Sequence, residues 1–104
     1  MLAKYLQEGD AVERCGLVLG NGHTIEVENI AEDPTISFMI DPVEMIKDSR
    51  HVKGTWHTHP GQPANLSHAD YAGFLNWPDL THHIIGIDGV RSYRVEAGLV
   101  VNVK

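Results

Sequence analysis

The chain has 104 residues, 42% of them apolar and 21% charged, a composition that indicates one globular domain spanning residues 1–104. Eight Lys and Arg against fourteen Asp and Glu give a net charge of −6, which argues against nucleic acid as a partner. The single cysteine excludes an intrachain disulfide, and no apolar run approaches the ~20 residues of a membrane span.

The first 40 residues predict a short helix, a β-hairpin and a third strand. Apolar residues at helical spacing predict a helix over residues 2–8. Two apolar runs, residues 15–19 and the alternating residues 23–30, flank an Asn-Gly pair, which is a strong signal for a hairpin. Residues 36–40 are the third candidate strand.

The rest of the chain alternates helices with strands. Asp41 as N-cap and Pro42 at the first helical position predict a helix to about residue 50. A strand over residues 52–58 precedes a helix over residues 67–76. Three further strands follow, over residues 84–87, 92–95 and 99–103, with a turn at Asp88-Gly89 between the first two. This order predicts an α/β fold in which helices flank a mixed β-sheet.

Acidic residues are concentrated between positions 26 and 48, where seven carboxylates stand against a single cation, Lys47. Seven minus one is six, so this segment accounts for the net charge of the whole chain. One interpretation is a solvated face of a globular protein. The other is a surface that prefers a basic partner.

The clearest candidate site begins at His57-Thr58-His59-Pro60. Residues two apart on a strand point to the same face and lie roughly 7 Å apart along the chain, so both imidazoles can converge on one ion. Pro60 ends the strand and leaves the histidines at its tip. A His-x-His pair alone is weak evidence for a metal site.

Ser67 and Asp70 extend this candidate site. Ser-x-x-Asp predicts a helix start with Ser67 as N-cap, and Asp70 in the first turn can reach back to the strand tip. Two imidazoles and one carboxylate are three ligands, which leaves a tetrahedral zinc ion one open position. That number of ligands is typical of a catalytic zinc site rather than a structural one.

Together with an upstream segment, these residues resemble the signature of a known family. The upstream segment is Glu13-x-Cys15-Gly16-Leu17-x-Leu19-Gly20. With the two motifs above, it resembles the signature of the JAMM (MPN+, JAB-domain) zinc metalloproteases. The resemblance extends from about residue 2 to residue 103. It implies the JAB/MPN fold, a mixed sheet between helices that is similar to that of cytidine deaminases.

The resemblance also implies a role for each matching residue. His57, His59 and Asp70 would bind one Zn²⁺ per chain. Glu13 would be the general base that activates the zinc-bound water, and Ser67 would stabilise the oxyanion. All five residue types are present, so the chain resembles the active members of the family and not the scaffold-type ones.

The implied function is zinc-dependent hydrolysis of a peptide or isopeptide bond. The expected substrate is a peptide or a ubiquitin-like or sulfur-carrier protein, whose C-terminal tail would pass Trp77 or residues 61–66. The chain has no room for the insertions with which eukaryotic members grip ubiquitin, and it resembles the minimal prokaryotic or phage form. These resemblances imply a location in the cytoplasm or in a phage tail. The absence of a long apolar run predicts no membrane partner.

Two alternatives to this function remain open. A looser resemblance of residues 77–94 to phage tail-assembly proteins suggests a tail component that processes a tail or cell-wall peptide. The other alternative is a non-catalytic assembly module stabilised by zinc. The sequence leaves the oligomeric state undetermined.

The other candidate residues have less specific interpretations. Cys15 is expected to be a buried strand residue and not a nucleophile, which disfavours a Cys-His protease. His82 and His83 precede an apolar strand and are expected at an edge or in a loop, and His68 is expected in solvent. A zinc deaminase needs a Pro-Cys-x-x-Cys segment, which a single cysteine excludes.

Overall fold

The computed structural model describes residues 2–47 and 51–103 and contains one six-stranded mixed sheet. The strands are β1 (Cys15–Leu19), β2 (Thr24–Val27), β3 (Val52–Thr58), β4 (Thr81–Gly86), β5 (Gly89–Glu96) and β6 (Leu99–Val103). A 3-10 helix (Leu2–Tyr5) and two α-helices, α1 (Val43–Ile46) and α2 (His68–Leu75), complete the described elements. The predicted α/β class with a mixed sheet is confirmed. Within the two described ranges, no helix has both the length and the apolar character that crossing a membrane requires.

The order of the strands is β2-β1-β3-β4-β5-β6, and β3 and β4 run parallel while the other described neighbours run antiparallel. Parallel strands cannot be joined by a tight hairpin, so the chain crosses over through α2 between them. The crossover starts where β3 ends. Residues 57–70 therefore lie at the carboxyl end of a central strand.

The face of the sheet that α2 covers holds most of the apolar core. One group of buried residues surrounds Phe74 of α2, and another surrounds Leu17 of β1. The buried members of both groups are Cys15, Leu17, Ile40, Ala64, Phe74, Ile84 and Tyr93. Phe74 packs with residues of β4 and β5, so the core holds α2 against the centre of the sheet.

The opposite face of the sheet packs against the 3-10 helix. Trp56 of β3 is fully buried there, and its ring stacks on Tyr5 with 3.8 Å between ring centroids. The Trp56 indole N–H also donates to the carbonyl oxygen of Ile25. Successive residues of a strand point to opposite faces. Burial of Trp56 on this face therefore turns His57 toward α2.

Four predicted elements in the first half differ from the observed ones. The second strand of the hairpin, predicted over residues 23–30, spans only Thr24–Val27. Residues 36–40 form no strand. The Met39 carbonyl oxygen accepts the Ile30 N–H, and the Met39 N–H donates to the Asn29 side chain, so no ladder of backbone hydrogen bonds forms here. The helix predicted over residues 2–8 is only one 3-10 turn. The helix predicted to about residue 50 is observed as α1, which ends already at Ile46 because the backbone of Lys47 is extended. Residues 48–50 lie outside the described residues.

The second half agrees more closely with the predicted elements. The bounds of β3 and β6 are those predicted, and α2 differs from its predicted bounds by one residue at each end. However, β4 begins at Thr81, three residues before its predicted start, and includes His82 and His83. The turn to β5 lies at residues 87–88, because Gly86 pairs with Gly89. The first three residues of β4, Thr81 to His83, are polar, so the apolar pattern did not predict them as part of the strand.

Candidate metal centre

Four side chains from three separate parts of the chain meet at the carboxyl end of β3. One ligand atom from each of Glu13, His57, His59 and Asp70 lies within 4.8 Å of the other three. Glu13, His57 and Asp70 are buried, and the side chain of His59 is 11% exposed. The resemblance seen in the sequence implies that His57, His59 and Asp70 are metal ligands and Glu13 a base, and the structure brings all four side chains together.

Both histidines present the same ring nitrogen to the centre of this cluster. His57 is the sixth residue of β3, and its Nε2 lies 3.2 Å from Nε2 of His59. The ring of Phe38 stacks on the His57 imidazole with 4.0 Å between centroids. The backbone N–H of His59 donates to the carbonyl oxygen of Ile85 at 2.8 Å, which keeps the strand tip aligned with β4.

The helix start of α2 places the Asp70 carboxylate. Ser67 is the N-cap: its Oγ accepts from the Asp70 backbone N–H at 3.0 Å, and Asp70 Oδ2 accepts from the Ser67 backbone N–H at 3.3 Å. This reciprocal capping box orients the Asp70 side chain back toward β3. Its Oδ1 lies 3.0 Å from His57 Nε2, and its Oδ2 lies 3.1 Å from His59 Nε2.

Sheet pairing brings the distant residue Glu13 to the same point. Cys15 of β1 pairs with His57 of β3, and two hydrogen bonds between Arg14 and Thr58 continue the pairing by one residue. Continued by one more residue, this antiparallel register places Glu13 opposite His59. Because side chains two residues apart share a face, this register aims Glu13 at the imidazoles.

Asn29 is a supporting residue that no motif in the sequence predicts. Its Nδ2 donates to the carbonyl oxygens of Glu13, at 2.8 Å, and Ser37, at 3.0 Å. Its Oδ1 accepts from the backbone N–H groups of Ala31 and Met39, both at 3.0 Å. One amide thus ties Glu13 to the segment that carries Phe38. No sequence signal distinguishes this Asn from an ordinary loop residue.

The chemistry of the donor atoms fits a bound cation. His59 Nδ1 lies 3.1 Å from the carbonyl oxygen of Pro63, which can only accept, so this nitrogen carries the proton. When His59 is neutral, its Nε2 carries a lone pair that faces the Asp70 carboxylate and His57 Nε2. These atoms repel one another unless a positive charge lies between them. That charge is a proton on an imidazole Nε2 in the metal-free protein, and a bound metal ion takes the place of such protons. Atoms bound at ~2.0–2.1 Å to a tetrahedral zinc ion lie roughly 3.3 Å apart, close to the separations seen here.

The pKa values of the two carboxylates in the cluster are shifted in opposite directions. Burial opposes ionisation of Asp70, but hydrogen bonds from His57 and His59 outweigh burial and hold the Asp70 pKa well below its usual range. Burial raises the pKa of Glu13 to about 7, and Glu13 Oε1 has no hydrogen-bond partner among the described residues. Asp70 is thus a permanent anion, whereas Glu13 can exchange a proton near neutral pH.

An open cleft gives access to the cluster. It has a volume of about 490 Å³, and Glu13, His59, Ser67 and Ile36 line it together with residues of the loop over 60–66. The loop packs closely on β4, where a Cβ at Gly86 would collide with the Ala64 backbone. This contact holds the loop in place, including the Pro63 carbonyl that fixes the His59 tautomer.

Comparison with known proteins agrees with this geometry. A family model for prokaryotic homologs of the JAB domain matches residues 1–96. The chain belongs to this family. The match includes all four residues of the cluster and Ser67, and it confirms the resemblance seen in the sequence. A sequence search against curated proteins finds no match.

Outside the cluster, the histidines of this JAB domain follow the sequence predictions only in part. The prediction of an edge or loop for His82 and His83 is wrong, because both lie in β4, inside the sheet. His82 is buried between Thr55 Oγ1, 2.7 Å from Nδ1, and the Trp77 carbonyl oxygen, 3.0 Å from Nε2. His68 is exposed, as predicted.

Cys15 is buried in β1, as predicted, and burial raises the pKa of its thiol to about 12. A thiol with such a pKa is not ionised at neutral pH and is a poor nucleophile. The structure therefore offers no support for a Cys-His protease.

Proposed function

We propose that this JAB domain is a zinc-dependent peptidase or isopeptidase. The observation that carries the proposal is the convergence of two imidazole Nε2 atoms and one carboxylate beside Glu13. Glu13 is buried, and its Oε1 has no hydrogen-bond partner in the part of the chain that the structure describes. Three ligands of this kind suit zinc and leave one coordination position for chemistry. When bound, the ion supplies a Lewis acid that polarises a carbonyl group and makes water a nucleophile near neutral pH.

Glu13 is the proposed general base. A base works best when its pKa lies near the operating pH, and burial raises the Glu13 pKa to about 7. Its Oε1 is free of hydrogen bonds to described residues, and its side chain lines the cleft. Glu13 accepts the proton of the attacking water at this oxygen and delivers it to the leaving amine.

Ser67 is the proposed oxyanion donor. Its Oγ accepts the Asp70 backbone N–H, so its own hydroxyl proton remains available to a second partner. Ser67 is exposed and lines the cleft. A hydroxyl held in this way can donate to the negative charge that develops on the carbonyl oxygen of the substrate.

The proposed substrate is a peptide, or a ubiquitin-like or sulfur-carrier protein that ends in an extended tail. Residues 60–66 border the cleft, whereas Trp77 lines a different cavity. Trp77 and residues 61–66 are the two segments expected to flank the tail, and of these only the loop over 61–66 borders the cleft. Small residues such as Gly-Gly before the scissile bond would fit between this loop and Ile36.

The test of this proposal is hydrolysis of a ubiquitin-like protein fused through its C-terminal Gly-Gly to a reporter peptide. We expect cleavage after the second glycine, loss of cleavage with a chelator and recovery with added zinc. Cleavage of cell-wall or tail peptides but not of the fusion would favour the phage-type alternative. Zinc binding without hydrolysis of any of these substrates would favour the assembly module and contradict the proposal.

The Ser67→Ala variant separates the two roles of this side chain. Loss of an oxyanion donor should lower kcat by ~10²–10³-fold. Loss of the N-cap should lower the free energy of unfolding by about 1 kcal/mol. Ser67→Gly removes the hydroxyl with a smaller capping penalty, so it should show the same loss of kcat with less loss of stability. Wild-type kcat in both variants would exclude Ser67 from catalysis.

A further inference from the structure

One peptide group in the loop over residues 60–66 connects a histidine of the metal centre to a distant carboxylate. The Pro63 carbonyl oxygen accepts from His59 Nδ1 at 3.1 Å, and the Ala64 N–H donates to Asp88 Oδ1 at 2.8 Å. This carbonyl and this N–H belong to the same peptide group. Because a trans peptide is planar, its C=O and N–H bonds point in opposite directions. Asp88, the peptide group and His59 therefore form a continuous line of hydrogen bonds.

The carboxylate end of this line is an anion that binds a buried group. Ala64 is fully buried, so its N–H has no access to water and depends on Asp88 as acceptor. The same hydrogen bond lowers the pKa of Asp88, so its carboxylate is ionised at neutral pH. Hydrogen bonds to ionised acceptors are roughly twice as strong as those between neutral groups. The Ala64 N–H is therefore held more strongly than a neutral acceptor would hold it.

The surroundings of the peptide group keep it in this position. A Cβ at Gly86 would collide with Ala64 N and with the Pro63 carbonyl carbon, so the loop lies directly against β4. The Ile87 N–H donates to the preceding carbonyl oxygen of the loop at 2.9 Å. Asp88 follows Ile87 in the two-residue turn between β4 and β5. This turn therefore holds two successive peptide groups of the loop.

Polarisation along the line acts on the ring nitrogen that faces the cluster. A carboxylate that accepts the N–H of a peptide group polarises that group and leaves more negative charge on its carbonyl oxygen. The Pro63 carbonyl oxygen then holds the His59 Nδ1 proton more strongly. A partner on this nitrogen fixes the tautomer and orientation of the ring and raises the basicity of the other nitrogen. For His59 the other nitrogen is Nε2, which faces Asp70 in the candidate metal centre.

We propose that Asp88 is a positioning residue of the metal centre. Its carboxylate acts through the Pro63-Ala64 peptide, fixes the His59 tautomer that leaves Nε2 free for a metal ion and makes this nitrogen a stronger ligand. Asp88 lies outside both the cluster and the lining of the cleft, so its effect is indirect. This inference rests on the proposed function, because it takes the cluster to be a zinc site.

The neighbouring residue Arg91 makes it possible to separate this role from a purely local one. Asp88 Oδ2 lies 3.3 Å from a guanidinium nitrogen of Arg91, and both side chains are exposed. A carboxylate with only a local role would stabilise the turn through this ion pair and have no effect on His59. The Arg91→Ala variant removes the ion pair and keeps the hydrogen bond to Ala64, so it is the matched control.

Three variants are compared by their zinc affinity, measured by competition with a chromogenic chelator. Asp88→Ala removes the acceptor and its charge. We expect it to bind zinc ~10-fold more weakly, or weaker still, as is typical for loss of an outer-shell partner of a metal-bound histidine. Asp88→Asn keeps an oxygen acceptor without the charge and should give a smaller loss. Arg91→Ala should bind zinc like the wild type.

The His59 Nδ1 proton supplies a second readout that does not depend on affinity. In the zinc-loaded protein, a stronger hydrogen bond to the Pro63 carbonyl oxygen moves its resonance further downfield. We expect an upfield shift in Asp88→Asn, a larger one in Asp88→Ala and none in Arg91→Ala. A residue that only stabilised the turn would affect the melting temperature and leave this resonance in place.

Wild-type zinc affinity together with an unmoved Nδ1 resonance in Asp88→Ala would overturn the inference. Equal losses in Asp88→Ala and Arg91→Ala would also overturn it, because they would trace the effect to the ion pair. Neither measurement requires hydrolysis, so the two proposals fail separately. A protein that cleaves the Gly-Gly fusion and binds zinc equally in all variants loses only the role of Asp88. A wild type that binds no zinc loses the proposed function and this inference together.

Discussion

The Glu13→Gln protein should keep its zinc and lose turnover by ~10²–10⁴-fold, the range typical of losing a general base. Glutamine has the shape of glutamate but cannot accept the proton of the attacking water. The ligand set of His57, His59 and Asp70 is untouched, so metal content should match the wild type. The measurements are zinc by elemental analysis and the single-turnover rate on the Gly-Gly fusion.

The same variant has an expected effect on stability in the metal-free protein. Burial raises the Glu13 pKa from 4.5 to about 7, so the folded state favours the protonated form. The contribution of Glu13 to stability is complete below pH 4.5 and is lost as the pH rises through 7. Since glutamine does not titrate, the melting temperature of Glu13→Gln relative to wild type should increase between pH 5 and pH 8.

Two outcomes would contradict this role for Glu13. Wild-type turnover in Glu13→Gln would place the base elsewhere, with His68 the next candidate because it lies in the first turn of α2. Loss of zinc in Glu13→Gln would make Glu13 a fourth ligand, which would close the open position and leave a structural site. The Glu13→Asp variant is the matched control, since it retains a carboxylate but shortens its reach.

Single replacement of His57, His59 or Asp70 by alanine should reduce zinc occupancy from about one per chain to near zero under dialysis. Each change removes one of three ligands, and no other cluster of metal-ligating type occurs within the described residues to take over. Elemental analysis and the melting temperature with and without zinc measure the effect. The wild type should gain stability from zinc, whereas the three variants should not.

Suitable controls for this experiment come from histidines outside the cluster. His68→Ala changes an exposed residue of α2, and His83→Ala changes a residue bonded to Ser92 on β5. Both variants should retain zinc. His82 is not a suitable control, because its replacement would leave Thr55 Oγ1 and the Trp77 carbonyl oxygen without their imidazole partner. Undiminished zinc in all three ligand variants would refute the assignment.

Local signals in the sequence were sufficient for much of the candidate site. The His-x-His spacing, the Pro after it and the Ser-x-x-Asp cap are short-range patterns whose geometry follows from strand pleat and helix capping. The structure accordingly shows His57, His59 and Asp70 in the predicted relation to β3 and α2. The roles of these residues in metal binding and of Glu13 and Ser67 in catalysis remain predictions.

Burial and long-range pairing could not be predicted from these short-range patterns. In the sequence, His82 is a polar residue before an apolar run. In the structure, its imidazole is buried in the sheet and forms hydrogen bonds with Thr55 Oγ1 and the Trp77 carbonyl oxygen. Residues 36–40 are predicted as a strand, but the Asn29 side chain accepts the Met39 backbone N–H and no ladder forms. Such outcomes depend on partners that are distant in sequence.

By itself, the sequence determined the mixed α/β class and the strand-loop-helix unit over residues 52–76, because propensity, capping and hydrophobic period act over a few residues. Only the tertiary structure decided where Glu13 lies, since its position beside His59 depends on the register between β1 and β3. The same holds for the cavity between α2 and the segment over residues 38–45. Its two walls are some 30 residues apart in the chain, and they form a cavity only when α2 packs on the sheet.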